Sequence, residues 1–543
     1  MLRLVLSVLT VILIIDTQPA CSQSSASVYP IDTEGWVWSR VQEGQIANLN
    51  ERCGTQELSP TTTGSHWNDP CRVISASFIK RILTQEPWRS AIPYRGLRIT
   101  GAQIKEPLDL DAANVTVDIE LLRSRFEKAV NLRDARFQRL LSMSGTVFEA
   151  GINAEAVRIG GNFILSQSAV VRGGELNLGL ATIEGLVDMN GSIFEDGINA
   201  NDVRVGGHFL LSQLAIVRRG SVDLTAAKIK GDLNMTGSTF EASINANSLR
   251  VGGNLFMDHS AFAEQPDVVY ARVEGSLDIG KAQLPGLNLT GTIINEGLRL
   301  GQERQVPTWG KNAVLVLRGT RVKILQDSLD GTSRNVCFSQ DAWPAKLDLQ
   351  GFVYDQLGVA FTDRKEDLRT RDICWYEKWL ARDPYFTRQP YRQLAGVLRT
   401  LDPDRADDVL YAAREREREE AWKEGDYWRA IGLGLLKVTI GYGIGSELFR
   451  VMYWVVGFTI LGAVILWFSL AARKRGLLWC LGASLDHLLP IVELNKEFDD
   501  FFNDPKRTRL SGWQQVFFSF QALVGYLLGI FVAAAIAGIT QAG

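Results

Sequence analysis

Between Leu97 and Leu300 the apolar positions recur in one short phrase. It is an apolar-x-apolar triplet, two residues, a small residue, one residue and a second apolar residue, clearest in ELNLGLATIEGL, SVDLTAAKIKGDL and DVVYARVEGSL. The phrase opens at Leu108, Ile119, Val130, Leu141, Ile152, Phe163, Leu176, Val187, Ile198, Phe209, Val222, Leu233, Ile244, Leu255 and Leu277. Its step is 11 residues, widening to 13 at Phe163 to Leu176 and at Phe209 to Val222, with one opening passed over between Leu255 and Leu277. A longer repeat of 46 runs from Phe148 to Phe194 to Phe240.

Residues two apart on an extended strand point the same way, so each unit predicts two short strands with paired inward side chains. A helix would need apolar positions at 3.6 spacing, which the triplets lack. Two units, about 22 residues, close one coil, and coils stack at roughly 4.8 Å. A single coil cannot bury its own apolar positions, so the stack is stable only collectively.

The outward positions then form four rows. The first is polar: Asp109, Asn131, Asn153, Asn177, Asn199, Asp223, Asn245 and Asp267. The second is mostly basic: Asn114, Arg136, Arg158, Thr182, Arg204, Lys228, Arg250 and Arg272, a candidate anion face. The third carries Glu120, Ser142, Ile164, Asp188, Leu210, Asn234, Phe256 and Asp278. The fourth is expected to carry Arg125, Val147, Ala169, Ile193, Ala215, Thr239, Ala261 and Gln283. Ile164, Leu210 and Phe256 would be apolar side chains in the open, and they are the candidate binding face, to be covered by neck helices, a second copy or a partner.

Small residues at Ala113, Ala135, Ala181, Ala227 and Ala271, with Asp or Asn in the first row, resemble the A-(D/N)-L-x-x consensus of pentapeptide-repeat proteins. The resemblance implies a quadrilateral right-handed β-helix, here with coils nearer 22 residues than 20, and a structural or binding role.

The flanks divide the chain further. Residues 1–26 (MLRLVLSVLTVILII, then small residues) read as a signal peptide, with lipidation of Cys21 as the alternative. Residues 27–94 read as a helical cap, since an open solenoid edge would otherwise pair with other chains. The solenoid is assigned 95–363, with 302–312 as an inserted loop. Residues 364–430 form a helical neck: Tyr391, Leu394, Ala395 and Leu398 face Ala406, Val409, Leu410 and Ala413 in a tetratricopeptide-like hairpin. The run Arg414 to Glu420 (REREREE) reads as a solvated helix face. Residues 431–543 form a membrane domain with spans at about 448–471 and 516–540. Arg473, Lys474, Arg475, Lys496, Lys506, Arg507 and Arg509 fill the loop between them, which places loop 472–515 in the cytoplasm. The apolar part of that loop, GLLWCLGASLDHLLPIVELN, predicts a short helix packed beside the spans. The solenoid is then periplasmic or extracellular on a bacterial inner membrane.

Export would put the early cysteines in an oxidising compartment. Cys53 with Cys71 and Cys337 with Cys374 are the expected disulfides.

Candidate chemistry is sparse. The net charge of −3 gives no overall basic field for nucleic acid. Four histidines in 543 residues, with no metal-ligand spacing, predict no metal site; Asp486, His487 and Glu493 read as an acidic face. WGKN (309–312) lacks the earlier glycine of a phosphate-binding loop. The pairs Gly160–Gly161, Gly206–Gly207 and Gly252–Gly253 are turn glycines. Thr439-Ile440-Gly441-Tyr442-Gly443 matches a potassium-channel filter with one change, but a charged neck precedes it instead of a span.

The whole layout resembles bacterial membrane-anchored pentapeptide-like proteins, some labelled membrane-associated oxidoreductases. The residues add no nucleotide fingerprint, redox dithiol or haem motif to that label. No catalytic residue and no cofactor is predicted. The function expected is a membrane-anchored scaffold, with a bilayer and a protein partner or second copy as its contacts. An oxidoreductase component, sited where the neck meets the solenoid, is the alternative, and a cation channel a remote one.

Overall fold

The computed structural model describes residues 32–62, 64–301, 305–328, 342–358, 368–489, 494–503 and 510–541. The signal-peptide segment and Cys337 lie outside the described residues.

The phrase folds as its period requires. Each coil contributes four short parallel strands, and the strands of successive coils pair in columns. One column has ten strands, one per coil, so the solenoid makes about ten turns. Inward positions are fully buried, as at Phe163, Leu165, Phe194, Ile198 and Phe209. Stacked phenylalanines lie 22 residues apart in sequence and 5.1 Å apart in space at Phe126–Phe148, and 5.2 Å at Phe240–Phe262.

The small-residue slot is also inward, and where it holds a hydroxyl the group must find an acceptor. Ser192, Ser238, Ser260 and Thr292 each donate to a main-chain carbonyl of the core, at Leu165, Leu211, Met235 and Val268. The corner after the first row is left-handed in every coil from Ala112 (φ 53°) to Tyr270 (φ 53°), and six of these eight residues are neither glycine, Asp nor Asn. What pays for that strain is the Asp or Asn three residues earlier, whose carboxyl or amide oxygen accepts the N–H two residues on, as in Asn153 from Glu155 and Asn177 from Gly179.

Both ends of the stack are covered. At the start, helix Thr33–Gln42 and helix Ala76–Thr84 pack on the first coil, strand Ala47–Asn48 pairs with Ile99–Thr100, and the Cys53–Cys71 disulfide closes the cap. At the far end, helix Arg388–Arg399 lies on strand Val353–Leu357. Gln389 and Gln393 donate to the carbonyls of Phe352 and Tyr354, and Asp383 accepts the Leu349 N–H, so side chains of the neck occupy these ladder groups of the edge. The neck helices therefore cap the end of the solenoid.

Four expectations need correction. In the fourth row the outward residues are Val170 and Ile216, while Ala169 and Ala215 are buried inside. One of the two extra residues of each 13-residue step sits in the preceding corner, where Gln167 and Ser168, then Gln213 and Leu214, are paired left-handed residues. The expected inserted loop contributes a ladder strand, Thr308–Trp309, paired with Gln283 and Leu284. Among the described residues one stretch, not two, is long and apolar enough to cross a membrane: Gly445–Trp467. The second expected span falls in helix Gly512–Gln541, most of whose later side chains lie outside the described residues. The REREREE run is not simply solvated, as set out below.

Candidate functional site

The second row stands in strict register. Arg136, Arg158, Thr182, Arg204, Lys228, Arg250 and Arg272 pair coil on coil, one residue per coil. The six cations are exposed. Arg272 bonds Glu274, at 2.7 Å. The other five have no ion pair or side-chain hydrogen bond among the described residues. Several arginines elsewhere on the solenoid do meet carboxylates: Arg172 meets Glu149, Arg218 meets Glu195 at 2.7 Å, and Arg133 meets Asp111 at 3.1 Å.

Ile164, Leu210 and Phe256 stand in the third column, half-buried, but never adjacent. Asp188 lies between the first two, Asn234 between the second two, and Asp278 follows Phe256. Burial raises the Asp278 carboxyl pKa, against the pull of the Gly280 N–H it accepts. The column alternates apolar and polar groups, so these three side chains form no continuous apolar patch. The larger exposed apolar side chains are at corners the phrase did not single out, Leu180, Leu214 and Tyr270.

At the junction of solenoid and neck lies a fully buried ion pair. Arg371 donates to both carboxylate oxygens of Asp327, at 2.6 and 2.7 Å, and Trp343 Nε1 donates to the same group. The Arg371 guanidinium sits 4.1 Å from the Trp375 ring centroid. The expected partner of Cys374, Cys337, lies outside the described residues; Cys374 itself is disulfide-bonded.

The second cluster was hidden in the charged run. Helix Pro403–Lys423 buries Ala406, Val409, Ala413 and Ala421, and Glu417 shares that stripe at 2 % exposure. Arg388 and Arg429 bond its carboxylate at 3.0 and 2.7 Å, and Arg414 at 3.1 Å. Burial pushes the Glu417 carboxyl up, but the hydrogen bonds from Arg388 and Arg429 and the surrounding positive charge outweigh it and hold it down at about 2. Two residues earlier, Glu415 takes Lys437 at 2.8 Å, Arg418 at 2.9 Å and the Tyr442 hydroxyl at 2.5 Å. Burial and the Glu415 carboxylate raise the Tyr442 phenol well above its usual range. Glu415 and Glu417 thus tie the neck helix to helix Tyr427–Ile440, which leads into Gly445–Trp467.

The filter-like stretch is the bend after that helix. Thr439 and Ile440 are helical, Gly441 (φ 55°) and Tyr442 (φ 60°) are left-handed, and a Cβ at Gly441 would collide with Glu447. Beyond it, helix Leu477–Leu488 packs against both Arg450–Trp467 and Gly512–Gln541. Gln521 is fully buried there and donates to Ser484. His487 bonds the Phe518 carbonyl at 3.1 Å, Asp486 accepts the Leu494 N–H, and Glu493 lies outside the described residues.

No family model, curated protein or solved structure matches the chain.

Proposed function

We propose that the protein is a membrane-anchored extracytoplasmic scaffold, a four-sided right-handed solenoid that presents its sides to a partner. The observation that carries this reading is the clamp of Glu415 and Glu417, which fastens a neck seated on the last coil to the helix entering the apolar stretch Gly445–Trp467. Such a linkage transmits the position of a bilayer anchor to a stiff rod. In this reading the spans are 448–471 and 516–540, the loop 472–515 is cytoplasmic, and the solenoid stands in the periplasm or outside the cell.

Photocrosslinking residues placed one at a time at outward positions of the four rows, in cells, test the scaffold role. Discrete adducts from one side of the solenoid are expected. A solenoid that gives no adduct from any side would refute a presenting scaffold.

A further inference from the structure

Like charges stacked one coil apart repel, and directly opposed like charges cost a sheet some stability. The remaining rows avoid that cost by alternation or by pairing. The second row does not: Arg204, Lys228, Arg250 and Arg272 follow one another without a carboxylate in the column. Arg136 and Arg158 precede them, with only the Thr182 hydroxyl between the two groups. At about 4.8 Å per coil, the six steps from Arg136 to Arg272 span roughly 29 Å.

We infer that this row is a binding track for an extended anionic polysaccharide lying parallel to the solenoid axis. The inference rests on the scaffold reading above and names what one side of it holds. Five of the six cations are arginines, whose planar guanidinium groups match carboxylates two oxygens at a time. The track is one residue wide. Asp134, Asp202 and Glu184 flank it along the chain, within two residues of Arg136, Arg204 and Thr182, all three exposed. A flat anionic membrane would meet those carboxylates as well as the cations, whereas a single polymer chain can follow the cations alone. Single-stranded nucleic acid is held by aromatic stacking platforms beside the basic groove. Here Tyr270, at one end, is the only exposed aromatic residue within two positions of a row member along the chain; Phe137, beside Arg136, is buried in the core. A polymer with one carboxylate per sugar ring suits a regular file of guanidinium groups, and Thr182 offers a hydroxyl partner where the charge is interrupted.

The test uses the full chain in detergent micelles and polygalacturonate oligomers as the probe, titrated at rising salt. The wild type should bind, and its log affinity should fall linearly with log salt, as for other polyanions. Arg204→Gln with Arg250→Gln should lose at least about tenfold in affinity and flatten the salt slope by roughly two charges. Arg136→Gln with Arg158→Gln should do the same from the other end of the track, and serves if the first pair disturbs folding. Arg219→Gln, outside the row, should bind as the wild type does. Absence of binding at low salt, an equal loss in Arg219→Gln, or tighter binding of single-stranded DNA or of anionic-lipid vesicles would overturn the inference. Loss of polymer binding with side-specific crosslinks retained would remove the track and leave the scaffold reading standing. Polymer binding without any crosslinks would do the reverse.

Discussion

Arg250 stands directly above Lys228 in the parallel register, and neither has an ion-pair partner among the described residues. A row kept at a cost in stability predicts that relieving it stabilises the fold. Lys228→Glu sets a carboxylate between Arg204 and Arg250 and should raise unfolding stability by about 0.2–1 kcal/mol at low salt, the range for exposed pairs. The gain should shrink at high salt. Thermal unfolding at two ionic strengths checks this, and a destabilised Lys228→Glu would show that the row is not under repulsion.

Glu417 makes the neck acid-sensitive. Its folded pKa of about 2 lies below the ordinary 4.5, so its contribution is complete above pH 4.5 and is lost as pH falls toward 2. The arginines around it reach solvent, which discounts the full linkage value. Glu417→Gln should therefore cost on the order of 2–3 kcal/mol at neutral pH and little at about pH 2. Limited proteolysis between the neck and helix Tyr427–Ile440, with pH varied, reads the difference. Equal loss of protection for wild type and variant at neutral pH would remove Glu417 as the clamp.

The Asp327–Arg371 pair should behave as a buried ion pair does. Arg371→Met alone leaves a buried carboxylate and should cost about 3–5 kcal/mol. Arg371→Met with Asp327→Leu should recover most of that loss. A double variant no more stable than the single one, in a chemical unfolding cycle, would contradict the assignment.

Gly206 marks how closely the coils approach. A Cβ there would run into the Glu184 carbonyl of the preceding coil, whereas one at Gly237 would meet nothing. Gly206→Ala should cost about 1–3 kcal/mol through backbone displacement. Because Gly206 has ordinary φ, that cost is one of contact. Gly237→Ala, at φ 70°, should lose stability through conformation alone. Hydrogen exchange should show the Gly206→Ala loss at the amides of Glu184 to Gly207; unchanged protection there would contradict the contact.

Much of this fold was legible because a period of two, repeated every 11 residues, leaves few ways to bury its apolar set. It named the four rows and the pairing of Arg136 with Arg158. It failed at Ala169 and Val170, where two adjacent apolar residues let the register slide by one and only the Gln167–Ser168 corner decides. The Glu417 site was legible in principle. Glu417 follows Ala413 by four residues and precedes Ala421 by four, on the helix's own buried stripe, but the run of alternating charge hid the spacing. The Arg371–Asp327 pair joins residues 44 apart in sequence, and no local pattern announces such a contact.

The central claim is an anchored rod outside the cytoplasm, and a reporter active only in the cytoplasm tests it most directly. Inserted near Asn503 it should be active, and fused after Lys423 or after Gly543 it should be silent. Activity after Lys423 would place the solenoid inside the cell and contradict the account.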